Sequence, residues 1–119
     1  MNEVELDGIE YLIGTDDEAT AYATEQIEQS LWAFNADFLA GFLKCPVESV
    51  QAVQSNEKCE GNNDVFANWL QEVNGDDWLQ EFADEAISAD GRGHFVASYD
   101  HNEHEFNIDG TDFYAYRVN

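Results

Sequence analysis

At 119 residues the chain has the length of one domain, and its 44% hydrophobic and 13% aromatic residues suffice for a core, which excludes an intrinsically disordered acidic tail. Its 26 Asp and Glu against 4 Lys and Arg give a formal net charge of -22, which excludes nucleic acid and anionic lipid as direct ligands because both are repelled. Residues 1–43 hold ten acids and no base, and residues 59–91 hold nine acids and no base, so ion pairs within these segments cannot account for the carboxylates.

The N-terminal stretch MNEVELDGIE lacks the basic and apolar regions of a signal peptide. The densest apolar run, SLWAFNADFLAGFL, is broken by Asn35 and Asp37 and is too short to span a bilayer, so the expected location is cytoplasmic, away from membranes. Residues 8–13, GIEYLI, predict a short strand. TDDE at 15–18 fits a capping box, with Thr15 as N-cap and Glu18 three residues on, opening a helix from Asp16 to about Ala33. At 100° per residue Ala19, Ala23, Ile27, Leu31 and Phe34 share one arc, and Asp17, Glu18, Glu25 and Glu28 lie nearly opposite.

ADFLAGFLK predicts a second helix that gathers Phe38, Leu39, Phe42 and Leu43 and stops before Pro46. Pro46 then suits the first position of a helix over PVESVQAVQ, with Val47, Val50 and Val53 on one side. EGNND is turn chemistry, and DVFANWLQEV puts Val65, Phe66, Trp69, Leu70 and Val73 in one arc. Asn74 and Gly75 end that helix, and Asp76 is expected to cap the next. There Trp78, Leu79, Phe82, Ala83, Ala86 and Ile87 form an apolar half, while Asp77, Glu81, Asp84 and Glu85 form an acidic one. The three tryptophans, Trp32, Trp69 and Trp78, are expected to be core side chains.

Beyond Ala89 the texture changes. SADGRGH reads as a turn, HFVASY and FYAYRV as strands, and Asp109-Gly110 as a tight turn between EFNI and TDFY. The expected fold is a single α+β domain over residues 1–119, with about four helices packed on a small antiparallel sheet formed mainly by the C-terminal strands.

No motif of catalysis is present: there is no G-x-S-x-G, P-loop or H-E-x-x-H. His101 and His104 with Asp100, Glu103 and Glu105 match no zinc spacing, and an EF-hand beginning at Asp100 would need Gly and Glu where Glu105 and Thr111 stand. Neither a metal nor a cofactor is implied, and the chain is not expected to be an enzyme. Cys45 and Cys59 are not in a C-x-x-C pair and are expected to be buried, reduced and structural, with a single disulfide as the alternative. Arg92 and Arg117 are expected to make local ion pairs. No sequence signature sets an oligomeric state.

The acidic faces therefore carry the functional signal: Asp16, Asp17, Glu18, Glu25 and Glu28 on the first helix, and Asp76, Asp77, Glu81, Asp84 and Glu85 on the later one. Helices hold carboxylates at fixed spacing, as a nucleic-acid backbone holds phosphates, so the expected partner is a nucleic-acid-binding protein met through its basic groove. A protein adapted to a high-salt cytoplasm, or an acidic adaptor, would also be acidic, and its charge would serve solubility.

SLWAFNADFL (30–39), RGHFVASYDHNEHEF (92–106) and DFYAYRVN (112–119) resemble segments of small acidic proteins encoded by tailed bacteriophages. In size and charge the chain is also similar to DNA-mimic inhibitors of restriction enzymes and CRISPR effectors. That resemblance implies a non-enzymatic inhibitor of host defence acting in the host cytoplasm. It matches no named inhibitor motif and so transfers no binding residue.

Overall fold

Two Asp-Gly dipeptides fold the ends of the chain into hairpins. In the computed structural model, which describes residues 1–55 and 63–119, Asp7 and Gly8 take φ of 53° and 82°, and Asp109 and Gly110 take 51° and 88°. Two successive positive φ values match the right-handed twist of the flanking strands, which is why both loops need only two residues. The first hairpin joins β1 (Asn2–Leu6) to β2 (Ile9–Thr15), and the second joins β3 (His104–Ile108) to β4 (Thr111–Arg117). β2 and β4 pair antiparallel, with Leu12 opposite Tyr116, giving one sheet in the order β1-β2-β4-β3. The strand over 8–13 thus joins the C-terminal strands as the sequence suggests. β1 adds a strand that residues 1–7 were not expected to form.

Six helices are present among the described residues: α1 (Asp16–Gln29), α2 (Ala36–Leu43), α3 (Val47–Gln54), α4 (Asn63–Asn74), α5 (Trp78–Asp90) and the short α6 (Arg92–Val96). The class is α+β as expected; α1 to α5 answer to the five helical segments read from the sequence and α6 is additional, so the count of about four was imprecise. The chain divides into two compact units, Met1–Gln26 with Ala83–Asn119 and Ile27–Phe82, so the boundaries fall within α1 and α5.

In the first unit, Leu12 and Tyr116 of the sheet, Ala19 and Ala23 of α1, and Val96 and Ala97 form one buried cluster, with Tyr22, Ile87, Phe95 and Tyr114 packed around it. Small alanines on α1 let the helix approach the sheet closely. HFVASY is not a strand: its first residues complete α6, and Ser98–Asp100 form a turn. Val96, the last residue of α6, and Ala97, its C-cap, are both buried in the cluster with Leu12 and Tyr116. SADGRGH is likewise helical as far as Asp90, and Gly91, with φ 83°, makes the break.

In the second unit, Phe82 is fully buried and presents its ring edge-on to Phe34, Phe38 and Phe42, at centroid distances of 5.0, 5.1 and 5.0 Å. These geometries favour aromatic pairs beyond the area they bury. α1 ends at Gln29, short of the expected Ala33, because Ser30 leaves helical geometry and a 3-10 turn over Leu31–Ala33 buries Leu31. Amide side chains satisfy the helix ends. Asn63 Nδ2 donates to the Glu28 carbonyl at 2.8 Å, Gln54 Nε2 to that of Phe34 at 2.7 Å, and Asn74 Nδ2 to that of Phe42 at 3.0 Å.

Two helix starts differ from expectation. Pro46 is the N-cap of α3 and precedes its first residue, Val47. α5 begins at Trp78, whose amide donates to the Gly75 carbonyl, while the Asp76 carboxylate turns back to accept from Gln71 Nε2 at 3.2 Å. Trp78 is buried, whereas Trp32 and Trp69 are half-buried. Cys45 is a half-buried free thiol, less covered than expected, and Cys59 lies outside the described residues, as do residues 60–62 of the expected turn.

Candidate functional site

All ten carboxylates singled out from the sequence are exposed. Asp16, Asp17 and Glu18 occupy the first turn of α1, where the unsatisfied amides of a helix N-terminus favour negative charge. Glu18 closes the expected capping box: its Oε1 accepts from the Thr15 amide and hydroxyl, each at 3.1 Å, and its own amide donates to Thr15 Oγ1 at 3.4 Å. The hydrogen bond from the Thr15 backbone, and then that from its side chain, hold the Glu18 carboxyl below its ordinary value.

Asp16 is not the partnerless charge that its sequence surroundings suggest. Arg92, at the start of α6, places Nη1 2.6 Å from Asp16 Oδ1 and 3.0 Å from the Asp16 carbonyl, and donates from the same nitrogen to Thr20 Oγ1 at 3.1 Å. Its Nε reaches Glu103 Oε1 at 2.8 Å, and its guanidinium lies over the Tyr114 ring at 4.4 Å. Tyr116 donates its hydroxyl to the same Glu103 oxygen. Burial alone would lower the Arg92 pKa, but the hydrogen bonds to Glu103 and Asp16 outweigh it and hold the guanidinium firmly charged. Arg117 instead bonds the Asn119 carbonyl at 2.6 Å and stacks over Tyr99 at 3.8 Å, a cation–π contact where an ion pair was expected. Asp16, Glu18 and Asp76 thus have structural work while remaining exposed, and they stand in two acidic rows with Asp17, Glu25 and Glu28 on α1 and Asp77, Glu81, Asp84 and Glu85 at α5.

The α5 row is the denser. Asp77, Glu81, Asp84 and Glu85 follow at four, three and one positions and so lie along one side of the helix. Like charges at that spacing destabilise a helix by a few tenths of a kcal/mol per pair. The last turns of α1, α2, α3, α4 and α5 carry no basic residue, although the helix dipole favours cations there, and α5 ends on Asp90. α1, α3, α4 and α5 forgo stabilisation that ordinary surface composition would supply, while α2 has Lys44 at its C-cap.

The polar loop after α6 is engaged in its own geometry. Asp100 Oδ1 accepts from the Asn102 amide at 3.0 Å, His101 Nδ1 lies 3.2 Å from the His94 carbonyl, and Glu103 is held by Arg92 and Tyr116. Among the described residues no group of three or more His, Cys, Asp or Glu side chains is arranged to hold a metal ion. No Asp, Glu, His, Lys or Arg among them is buried. No described helix is long and apolar enough to cross a membrane.

No family model, curated protein or solved structure matches the chain.

Proposed function

We propose that the chain is a non-enzymatic nucleic-acid mimic of the phage inhibitor type, which occupies the basic nucleic-acid-binding surface of a host defence protein, a CRISPR effector or restriction enzyme, in the host cytoplasm. The α5 row carries this reading. From Asp77 to Glu85 it spans roughly 12 Å, with successive carboxylates about 6, 4.5 and 1.5 Å apart along the axis, a density of about one per 4 Å against about one phosphate per 3.4 Å along one strand of a duplex. The apolar half of α5 is buried at Trp78, Phe82, Ala83 and Ala86, which fixes the orientation of the acidic half. A fixed row meets a cationic groove with less ordering cost than a flexible acidic tail.

Affinity capture from a DNase-treated bacterial lysate at low salt, eluted in parallel with salt and with duplex DNA, tests the reading. Release of a restriction, CRISPR or other DNA-binding protein by DNA supports mimicry and identifies the target. Recovery of abundant basic proteins only, retained equally by a scrambled acidic control, overturns it in favour of charge that serves solubility.

A further inference from the structure

The register of the sheet sorts its side chains with unusual strictness. Leu12 and Tyr116 stand opposite each other on the side covered by α1 and α6, so their strand neighbours face the other way. That second face carries Asn2, Val4 and Leu6 from β1, Ile9, Tyr11, Ile13 and Thr15 from β2, Thr111, Phe113, Ala115 and Arg117 from β4, and His104, Phe106 and Ile108 from β3. None is acidic, in a chain with 26 acids. All five carboxylates within the strands, Glu3, Glu5, Glu10, Glu105 and Asp112, fall on the helix side.

An antiparallel sheet with one covered face ordinarily turns polar residues to water on the other. Here the outer face is apolar. Val4, Ile9, Tyr11, Ile13, Phe106 and Phe113 are half-buried, Phe106 stacks on Phe113 at 5.8 Å, and Leu6 and Ile108 are 58% and 52% exposed. The face is roughly 19 by 20 Å, about 400 Å² of flat footprint that Asn2, Thr15, His104, Thr111 and Arg117 share with the apolar side chains, and its apolar part is within the size of the largest patch of an ordinary monomer, which is often functional.

We propose that this face is where a second copy of the chain docks, sheet against sheet, in a two-fold symmetric dimer. Charge selects the occupant. Two copies at -22 each repel through any carboxylate-bearing surface, and this face, whose only formal charge is Arg117, is where they can meet. A basic partner is drawn instead to the acidic helices. An apolar face is complementary to itself, and two sheets stack aligned about 10 Å apart. The footprint is small beside the roughly 800 Å² per partner of standard interfaces, so the dimer forms with concentration and does not persist at high dilution. Its salt dependence is opposite to that of the proposed target binding: screening removes the repulsion between copies and strengthens the dimer. The dimer does not rest on the mimic reading.

Sedimentation equilibrium on the full chain tests it, over about 1 to 300 µM protein and from about 50 mM to 1 M NaCl. The mass is expected to rise from 13.5 kDa toward twice that value with concentration, and at lower concentration in high salt. The double variant Leu6→Gln/Ile108→Thr alters only exposed positions and should bind itself at least tenfold more weakly with an unchanged circular dichroism spectrum. A wild-type chain that stays monomeric throughout overturns the second copy as occupant, leaving a partner of different sequence. A double variant that dimerises like wild type overturns the face. Concentration-dependent NMR broadening reads the contact without a variant: in residues 9–15 and 111–117 it supports the proposal, and confined to α1 or α5 it overturns it. Target capture by a strictly monomeric chain would leave the mimic reading intact, so the two fail independently.

Discussion

Arg92 and Asp16 stand seventy-six positions apart in the chain and 2.6 Å apart in space, and the same guanidinium reaches Glu103 with its other face. The Arg92 side chain is 11% exposed, whereas Asp16 is 67% exposed, so the cation is the more covered member of the arrangement. One of only four bases in the chain therefore ties the start of α1 to the loop that leads into β3.

Replacing Arg92 should accordingly cost far more than an ordinary surface pair. Arg92→Ala removes hydrogen bonds to two carboxylates and leaves Glu103 beside the Tyr116 hydroxyl without its cation, a loss of about 2 kcal/mol once solvent screening at Asp16 is allowed for. Arg92→Lys keeps the charge but not the planar fork, and should recover less than half of the loss. Urea midpoints of the three proteins check both expectations.

That hub also marks what the sequence could and could not disclose. The Thr15–Glu18 capping box and the Asp109-Gly110 hairpin were legible because each is local, its chemistry complete within four residues. Asp7-Gly8 is the same dipeptide in the same turn geometry, and NEVEL alternates ahead of it, so β1 was equally legible. HFVASY has strand composition, but its first residues complete α6 and place Val96 in the buried cluster, a tertiary outcome that composition does not carry. The acidic rows were visible through helical periodicity. The engagement of Asp16 by Arg92 was not, because Arg92 is remote in sequence.

Tyr116 links stability to alkaline pH. It is fully buried, and burial first, then its hydrogen bond to Glu103, raises its pKa above the ordinary 10.0. A raised pKa in the folded state means that the protonated hydroxyl contributes its full stability below pH 10 and loses it as pH climbs through the folded value. Chemical denaturation between about pH 9 and 11.5 should show wild type losing stability relative to Tyr116→Phe, which has nothing to titrate there. A constant difference across that range would contradict the assignment.

Glu18 acts on the acid side with the opposite sign. Its folded pKa is lowered from 4.5, so its contribution is complete above pH 4.5 and disappears as pH falls through the folded value. The stability difference between wild type and Glu18→Gln should therefore narrow below pH 4.5, measured by thermal melts in steps of pH.

Salt separates the proposed function from salt adaptation. The apolar clusters are those of an ordinary domain, so the chain should fold in dilute buffer, with a Tm that rises by several degrees as about 0.5 M NaCl screens its self-repulsion. A requirement for molar salt would favour the salt-adapted alternative. In the same buffers, reversing Asp77, Glu81, Asp84 and Glu85 to Lys should weaken target capture at least tenfold with the domain still folded, at a small cost in Tm because Asp77 and Glu81 stand at the start of α5, where negative charge is favoured.

Two glycines predict opposite outcomes for the same substitution. A Cβ on Gly93 in α6 would lie 2.5 Å from the His101 carbonyl oxygen and 3.0 Å from the Asn102 carbonyl carbon, both backbone atoms that cannot turn aside. Gly93→Ala must therefore push α6 from the loop over 101–102, and should cost about 2 kcal/mol as an overpacked buried site. Gly41, exposed within α2, has nothing within 4 Å of its added Cβ, and α2 is a regular helix from Ala36 to Leu43. There alanine only restricts the unfolded chain and improves helix propensity, so Gly41→Ala should stabilise by roughly 0.5 to 1 kcal/mol. Thermal or urea denaturation of the two single variants distinguishes them by sign. A Gly93→Ala protein as stable as wild type would mean that α6 and the 101–102 loop do not make the close approach described here.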